Sequence, residues 1–160
     1  MPYEYNAKVT NVVDGDTIVV DIDLGFNVVF ANQSVRLLGV DTPESRTSDK
    51  IEKVFGLASK DYTKSFIENS KKYVIIRTHK SDDSEKFGRI LGEIINPESK
   101  EVLNDVLVAD GYAVKYLGEN KDNVKNIHLQ NRKRLIDEGK IKMSYKDAGL
   151  TSWLKEVYLL

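Results

Sequence analysis

An α+β domain is the fold class the sequence predicts: a small five-stranded OB-type β-barrel, about three helices packed on it, and a C-terminal tail. Three observations carry this. The first forty residues alternate Val- and Ile-rich runs with Gly and Asn, as twisted strands and their turns do. After Pro43 the apolar period lengthens to that of a helix. Strand-like segments then return before two more helical ones, an order that argues against alternating α/β units.

Strands are expected at Ala7–Val13, Asp16–Asp23, Asn27–Ala31 and Ser34–Val40, with Leu24-Gly25-Phe26-Asn27 as a hairpin turn. Val54, Leu57, Ala58, Tyr62, Phe66 and Asn69 fall on one helical face, and Lys71-Lys72 suits the end of that helix. Tyr73–His79 and Arg89–Ile95 read as strands on either side of the polar run "SDDSEKFG". The segment "EVLNDVLVADG" reads as a short amphipathic helix closed by Gly111. A polar helix over Asp122–Gly139 follows, with Asp122 or Asn123 as its N-cap. Beyond Met143, Trp153, Leu154 and Val157 suggest one more docked turn. The expected division is a domain over residues 1–143 and an extension over 144–160.

Composition narrows the classes. A chain of 160 residues with 41% hydrophobic and 31% charged side chains has the balance of an ordinary soluble domain with a core of its own. Lys+Arg number 24 against 25 acids, so any phosphate-binding surface must come from local clustering rather than bulk charge. Cysteine is absent, which excludes disulfides and thiolate-ligated zinc. No stretch resembles a secretory leader or reaches the roughly 20 apolar residues of a membrane span, so a cytoplasmic protein is expected.

The chemistry-bearing residues are unusual in their places. Asp14-Gly15-Asp16-Thr17 opens a strand, and glycine between two acids is either a plain acidic turn or a site of close backbone approach. Arg36 lies within an apolar strand, so it either sits on the wet face or reaches an anion. Arg89, in "KFGRILGEI", poses the same question again. Arginine suits phosphate because its planar fork stays charged and donates two parallel hydrogen bonds. Asp41 and Glu44 flank Pro43 just past the Arg36 strand. They are either a solvated turn or, together with Asp16, an oxygen cluster that needs a hard cation.

In this order and at these separations, "DGDT", "RLLGVDTPE", "KFGRILGEI" and "LNDVLVADGYA" resemble the staphylococcal nuclease (thermonuclease) family. The resemblance runs from about Lys8 to about Ile141, and Arg36 to Glu44 is its most specific piece. It implies a calcium-dependent hydrolase of phosphodiester bonds, an endo- or exonuclease acting on DNA and RNA with little sequence preference and leaving 3′-phosphate ends. By the same resemblance Asp16 and Asp41 would bind calcium directly, and Thr42 would add its backbone carbonyl. Glu44 would orient or deprotonate the attacking water. Arg36 and Arg89 would grip the scissile phosphate.

Some positions depart from the pattern. Phe87 stands where the family commonly has a tyrosine that donates to a terminal phosphate, while Lys86 is kept as a substrate contact. Tyr112 and Tyr116 are the candidates for stacking on a base, with Tyr116 preferred; the alternative is packing on the barrel. Lys50 and Lys53 are candidate backbone contacts. The basic set Lys121, Lys125, Arg132, Lys133 and Arg134 is read as a solvated helix face. His79 and His128 are read as structural or surface residues. A monomer without an obligate protein partner or a membrane is expected. The rival reading is a non-catalytic nucleic-acid or protein binding module of the same fold, in which the acids and arginines are lost; here all five positions are filled.

Overall fold

Alternate Val and Ile positions give each strand one face to bury, and the chain buries five such faces by closing the strands on one another. The computed structural model describes residues 3–78, 88–118 and 120–158. Strands β1 (Tyr3–Asp14), β2 (Thr17–Gly25) and β3 (Val28–Leu37) are followed by a two-residue β4 (Val40–Asp41) and helix α1 (Lys50–Asn69). Then come β5 (Tyr73–Thr78), β6 (Ile90–Ile95), α2 (Leu103–Ala109), β7 (Val114–Lys115), α3 (Lys121–Asp137) and α4 (Thr151–Tyr158). The barrel runs β1-β2-β3-β6-β5 and closes β5 onto β1, while β4 pairs with β7 outside it. Among the described residues only β3 and β6 run parallel, over Val35–Leu37 and Ile90–Gly92. Among the described residues no helix is long and apolar enough to cross a membrane.

Two clusters form the core. Val9, Ile18, Val20, Val35, Ile76 and Ile94 fill the barrel. Phe55, Leu135, Ala148, Leu150 and Trp153 form a second cluster, which joins α1, α3 and the C-terminal segment. The segment after Met143 therefore contributes three buried residues to the packed structure, and α4 there joins the three helices packed on the barrel among the described residues. Val157, expected to dock, stays exposed.

Several local expectations change. The two strands expected over Asn27–Ala31 and Ser34–Val40 are one strand, β3, interrupted by a register shift where Asn32 takes φ 55°. An asparagine tolerates the left-handed region, so the strand kinks there without ending. Helix α1 starts earlier than its apolar face suggests, because Asp49 caps it by accepting from the N–H groups of Ile51 and Glu52. Lys71 and Lys72 lie past that helix with positive φ, in the turn to β5. Asn120, not Asp122 or Asn123, caps α3. His79, Lys86 and Phe87 lie outside the described residues.

Close approaches then fix the loops around β4. A Cβ on Gly56 of α1 would lie 2.2 Å from the Glu44 carbonyl oxygen, so only glycine lets the helix lie against that loop. A Cβ on Gly15 would meet Ser59 at 2.9 Å and Thr42 at 3.0 Å, and the Thr63 hydroxyl donates to the Gly15 carbonyl at 2.6 Å. Buried Asn104 of α2 accepts from Ile94 N–H at 3.1 Å and donates to the carbonyls of Leu38 (2.9 Å) and Gly92 (3.2 Å). The turn between β3 and β4 is thereby pinned to β6.

Candidate active site

The alternation of β3 answers the question raised by Arg36. Val35 and Leu37 are buried in the barrel, so Arg36 between them faces the other way, over the start of β2, where Thr17 is its register partner. Its guanidinium is held at the end of that face through both terminal nitrogens. Nη1 donates to the carbonyls of Leu37 (3.0 Å) and Val40 (2.8 Å). Nη2 lies 3.3 Å from Asp16 Oδ2 and 3.4 Å from Asp41 Oδ1. Two carboxylates, one from the β1–β2 turn and one from β4, thus converge on one nitrogen.

Each acid is further fixed. Asp16, with a side chain only 10% exposed, accepts from Thr17 Oγ1 at 3.1 Å and from the Thr42 N–H at 3.1 Å. Asp41 accepts at its second oxygen from His128 Nε2 of α3, at 2.8 Å. Arg89, just before β6, donates from Nη1 to Thr17 Oγ1 at 3.4 Å, beside Asp16. The barrel therefore assembles Asp16, Arg36, Asp41, Thr42 and Arg89 from three stretches distant in sequence.

Glu44 stands at the rim. Its pKa is raised, first by burial of its inner side and then by the negative charges of Asp14, Asp16, Asp41 and Glu52. The residue is open to solvent on its other side, which screens part of that field. Asp14 holds the next residue by accepting from both the N–H (3.2 Å) and the hydroxyl of Ser45.

The stacking candidates separate. The Tyr112 ring packs against Tyr62 with centroids 4.7 Å apart, between the two core clusters, and burial raises its pKa ahead of the charges of Asp110 and Glu138. Tyr116 follows β7, half-buried, with its N–H bonded to the Gly39 carbonyl at 2.9 Å. Lys50 and Lys53 are exposed in the first turn of α1. In the basic set, Lys133 and Arg134 pair with Asp137 and Glu138 one turn on, as a solvated face does. Arg132 is instead drawn inward, over the Phe55 ring and onto the Ala148 carbonyl at 3.1 Å.

His128 corrects the sequence reading, in which it had no part in the site. A signal for it existed: Val124, His128, Asn131 and Leu135 recur at helical spacing, and Val124 and Leu135 are buried. A histidine in that register points at the barrel. What the pattern cannot reveal is that Asp41 waits there, since the two are brought together only by folding.

The family profile described as staphylococcal nuclease homologue matches residues 34–139, a span that takes in Arg36, Asp41, Thr42, Glu44, Arg89 and His128. The chain belongs to the staphylococcal nuclease family. Among its relatives is the thermonuclease of Staphylococcus hyicus, 32% identical over 110 residues, which are 69% of this chain and 59% of that protein. The thermonuclease of Staphylococcus intermedius is 30% identical over 105 residues, 66% of this chain and 56% of the relative. An uncharacterized protein of Methanocaldococcus jannaschii is 28% identical over 152 residues, covering 82% of this chain and 70% of its own.

The staphylococcal nuclease family implies a divalent metal, and a hard cation needs oxygen donors. Among the described residues no group of three or more His, Asp or Glu side chains is arranged to hold a metal. What the site offers is two carboxylates, Asp16 and Asp41, beside the Thr42 main chain. The Thr42 hydroxyl is buried there without a partner. All are hard oxygen donors, and Arg36 already occupies the point on which the acids converge. That set fits a calcium-class ion that keeps several waters.

Proposed function

We propose that the protein is a calcium-dependent phosphodiesterase that hydrolyses DNA and RNA with little sequence preference and leaves 3′-phosphate ends. The observation that carries the reading is the placement of Arg36 between Asp16 and Asp41, in a chain of the staphylococcal nuclease family, with Arg89 one residue away on Thr17. Asp16, Asp41 and the Thr42 carbonyl are the ligands the ion would take. Calcium held there would withdraw charge from the phosphate oxygens and acidify a bound water.

The remaining work falls to the chain itself. A phosphodiester already carries negative charge, which repels an incoming hydroxide, and more charge builds on its oxygens as attack proceeds. Arg36 and Arg89 are fixed, charged donors on one side of the site, and donors placed in advance cost no reorganisation when that charge appears. Arg36 Nη2 must leave the carboxylates to meet the phosphate, whereas Nη1 is kept in place by two carbonyls. Glu44 is the side chain proposed to orient the attacking water and accept its proton. Its raised pKa suits a proton acceptor better than an ordinary surface carboxylate. Tyr116 is the side chain proposed to stack on a base, and stacking tolerates any sequence.

The test uses plasmid DNA, denatured DNA and RNA with the purified chain. Digestion should require calcium and stop with EGTA. It should fall by about 100-fold or more in Glu44→Gln and Arg36→Gly. Calcium-dependent cleavage unchanged in both variants refutes the assignment, and binding without any cleavage favours a binding module.

A further inference from the structure

Asp14 opens the motif in which a glycine separates two acids, and the proposed reaction uses only the second of them. Register slips between Val12 and Asp14 at the end of β1, the kind of irregularity that re-aims a side chain. The carboxylate then reaches a residue 31 positions away: Oδ1 accepts from the Ser45 N–H at 3.2 Å and from the Ser45 hydroxyl. Among the described residues Asp14 forms no ion pair. Its partners are a main-chain N–H and a hydroxyl of a residue only 3% exposed. Without Asp14 both donors would be buried unpaired, which makes this contact costly to lose.

Asp16 makes the matching contact at the other end of the same loop, where its Oδ2 accepts from the Thr42 N–H at 3.1 Å. Two acids of one turn thus take the N–H groups at both ends of residues 42–45. Between them Pro43 has no N–H to offer, and Glu44 is exposed while Thr42 and Ser45 are buried. Gly15 lets the turn come this close, since a Cβ on it would meet Thr42 Cγ2 at 3.0 Å. Helix α1 closes the other side: a Cβ on Gly56 would lie 2.4 Å from the Glu44 carbonyl carbon and 2.6 Å from Ser45 N. The segment carrying Glu44 is therefore gripped at both ends and backed by a helix, while Glu44 itself stays exposed.

We propose that Asp14 is a positioning residue: paired with Asp16, it clamps residues 42–45 and so fixes where Glu44 stands in the site. The clamp follows from geometry alone, and its service to catalysis rests on the nuclease reading of Glu44. A water aimed at a phosphorus atom leaves little tolerance, since a misplacement of about 1 Å costs on the order of 100-fold in rate. Two donors of one serine on one carboxylate oxygen fix direction as well as distance. The rival role for Asp14 is its negative charge, which would draw in a cation whatever the loop does. Asparagine separates the two, because it keeps an accepting oxygen and drops the charge.

The experiment compares the full wild-type chain with Asp14→Asn, Asp14→Ala and Ser45→Ala. Amide hydrogen exchange, followed residue by residue by NMR without calcium, reads the clamp directly. In Asp14→Ala the Ser45 amide should exchange about tenfold or more faster, while the Thr42 amide, held by Asp16, keeps its protection. Asp14→Asn should restore the protection of Ser45. In cleavage of denatured DNA at saturating calcium, Asp14→Ala should lower kcat by about tenfold or more. Asp14→Asn should recover most of that loss although it lacks the same charge, and Ser45→Ala, which keeps the N–H, should fall between. An unchanged Ser45 amide in Asp14→Ala overturns the proposal, as does equal loss of protection at Thr42, the mark of general destabilisation. Asparagine and alanine variants with equal kcat overturn it too, because charge is then what matters. A wild-type chain that cleaves no nucleic acid refutes the nuclease reading instead, and the exchange results still decide the clamp.

Discussion

Replacing Arg36 by methionine isolates what the guanidinium does when no metal is bound. The substitution keeps much of the side-chain length and removes every donor. Four contacts go with it: Nη1 to the Leu37 and Val40 carbonyls, and Nη2 to Asp16 and Asp41. Asp16 keeps its bonds from Thr17 and Thr42, but its charge, only 10% exposed, loses its cation and faces Asp41 directly. Leaving one partner of a buried ion pair uncompensated typically costs about 3–5 kcal/mol. Arg36 and Asp41 are 16% and 30% exposed, so water recovers part of that, and a loss of about 2–4 kcal/mol at neutral pH is expected.

Calcium should reverse the deficit. In the wild type the ion must displace Arg36 from the two acids, whereas in Arg36→Met the site is vacant and repulsive, so the variant should bind calcium more tightly. An ion at 100 times its Kd stabilises a folded chain by about 2.7 kcal/mol, and the excess over wild type is the quantity of interest. Urea denaturation, followed through the buried single tryptophan Trp153 with EGTA and with calcium, gives all four stabilities. A loss below about 1 kcal/mol without calcium, or one that calcium leaves unchanged, refutes the idea that Arg36 stands in for the metal.

The other predictions concern the groups around it. His128→Ala should weaken calcium binding about tenfold by calorimetry, because it frees the second Asp41 oxygen, and His128→Gln should recover part of it by restoring a donor. Unchanged affinity in the alanine variant means that the bond to Asp41 is idle. Glu44→Gln should raise the stability of the calcium-free protein at neutral pH. A raised folded pKa means the native state resists ionising Glu44, a penalty present above its folded pKa that fades as pH falls through the unfolded value near pH 4.3. Denaturation at about pH 7 and about pH 3.5 should therefore show an advantage only at the higher pH. Tyr62 is pushed above the phenol range, first by burial and then by its hydrogen bond to Asp110. The native state keeps a proton that the unfolded chain loses near pH 10, so stability should fall as pH rises past about 10. Tyr62→Phe should flatten that slope in thermal melts.

Most of the barrel was legible because its signals are local. Apolar alternation placed β1, β2, β5 and β6, and the glycine turns separated them. The break expected between Asn27–Ala31 and Ser34–Val40 failed because the polar Asn32-Gln33 pair reads as a loop, whereas Asn32 only kinks a strand held by β2 on its other side. The cap of α3 was missed for a similar reason. Asn120, Asp122 and Asn123 are all competent acceptors, and the side chain that accepts the Asp122 N–H is that of Asn120. Asp16, Arg36, Asp41, Glu44 and Arg89 were singled out because each sits in a motif, and the fold brings Asp16, Arg36, Asp41 and Arg89 together. His128 was not, since its partner is 87 residues away and one helix face says only that it points inward.

The arrangement also accounts for how the chain alone holds so polar a cluster together. Acids gathered in one place repel one another, and that repulsion adds to burial, the larger cause, in raising the Glu44 pKa. Arg36 answers it from within the chain. Its Nη1, fixed to two carbonyls of the β3–β4 turn, sets the distance at which Nη2 meets both carboxylates. Asp16 and Asp41 are thus held near each other by Arg36, and on the proposed reading an ion would take its place and free the guanidinium for the phosphate. On this logic a lysine at the same position is a poor substitute. Its single ammonium can bridge the acids or bond the carbonyls, but it cannot hold the turn with one nitrogen while it offers another.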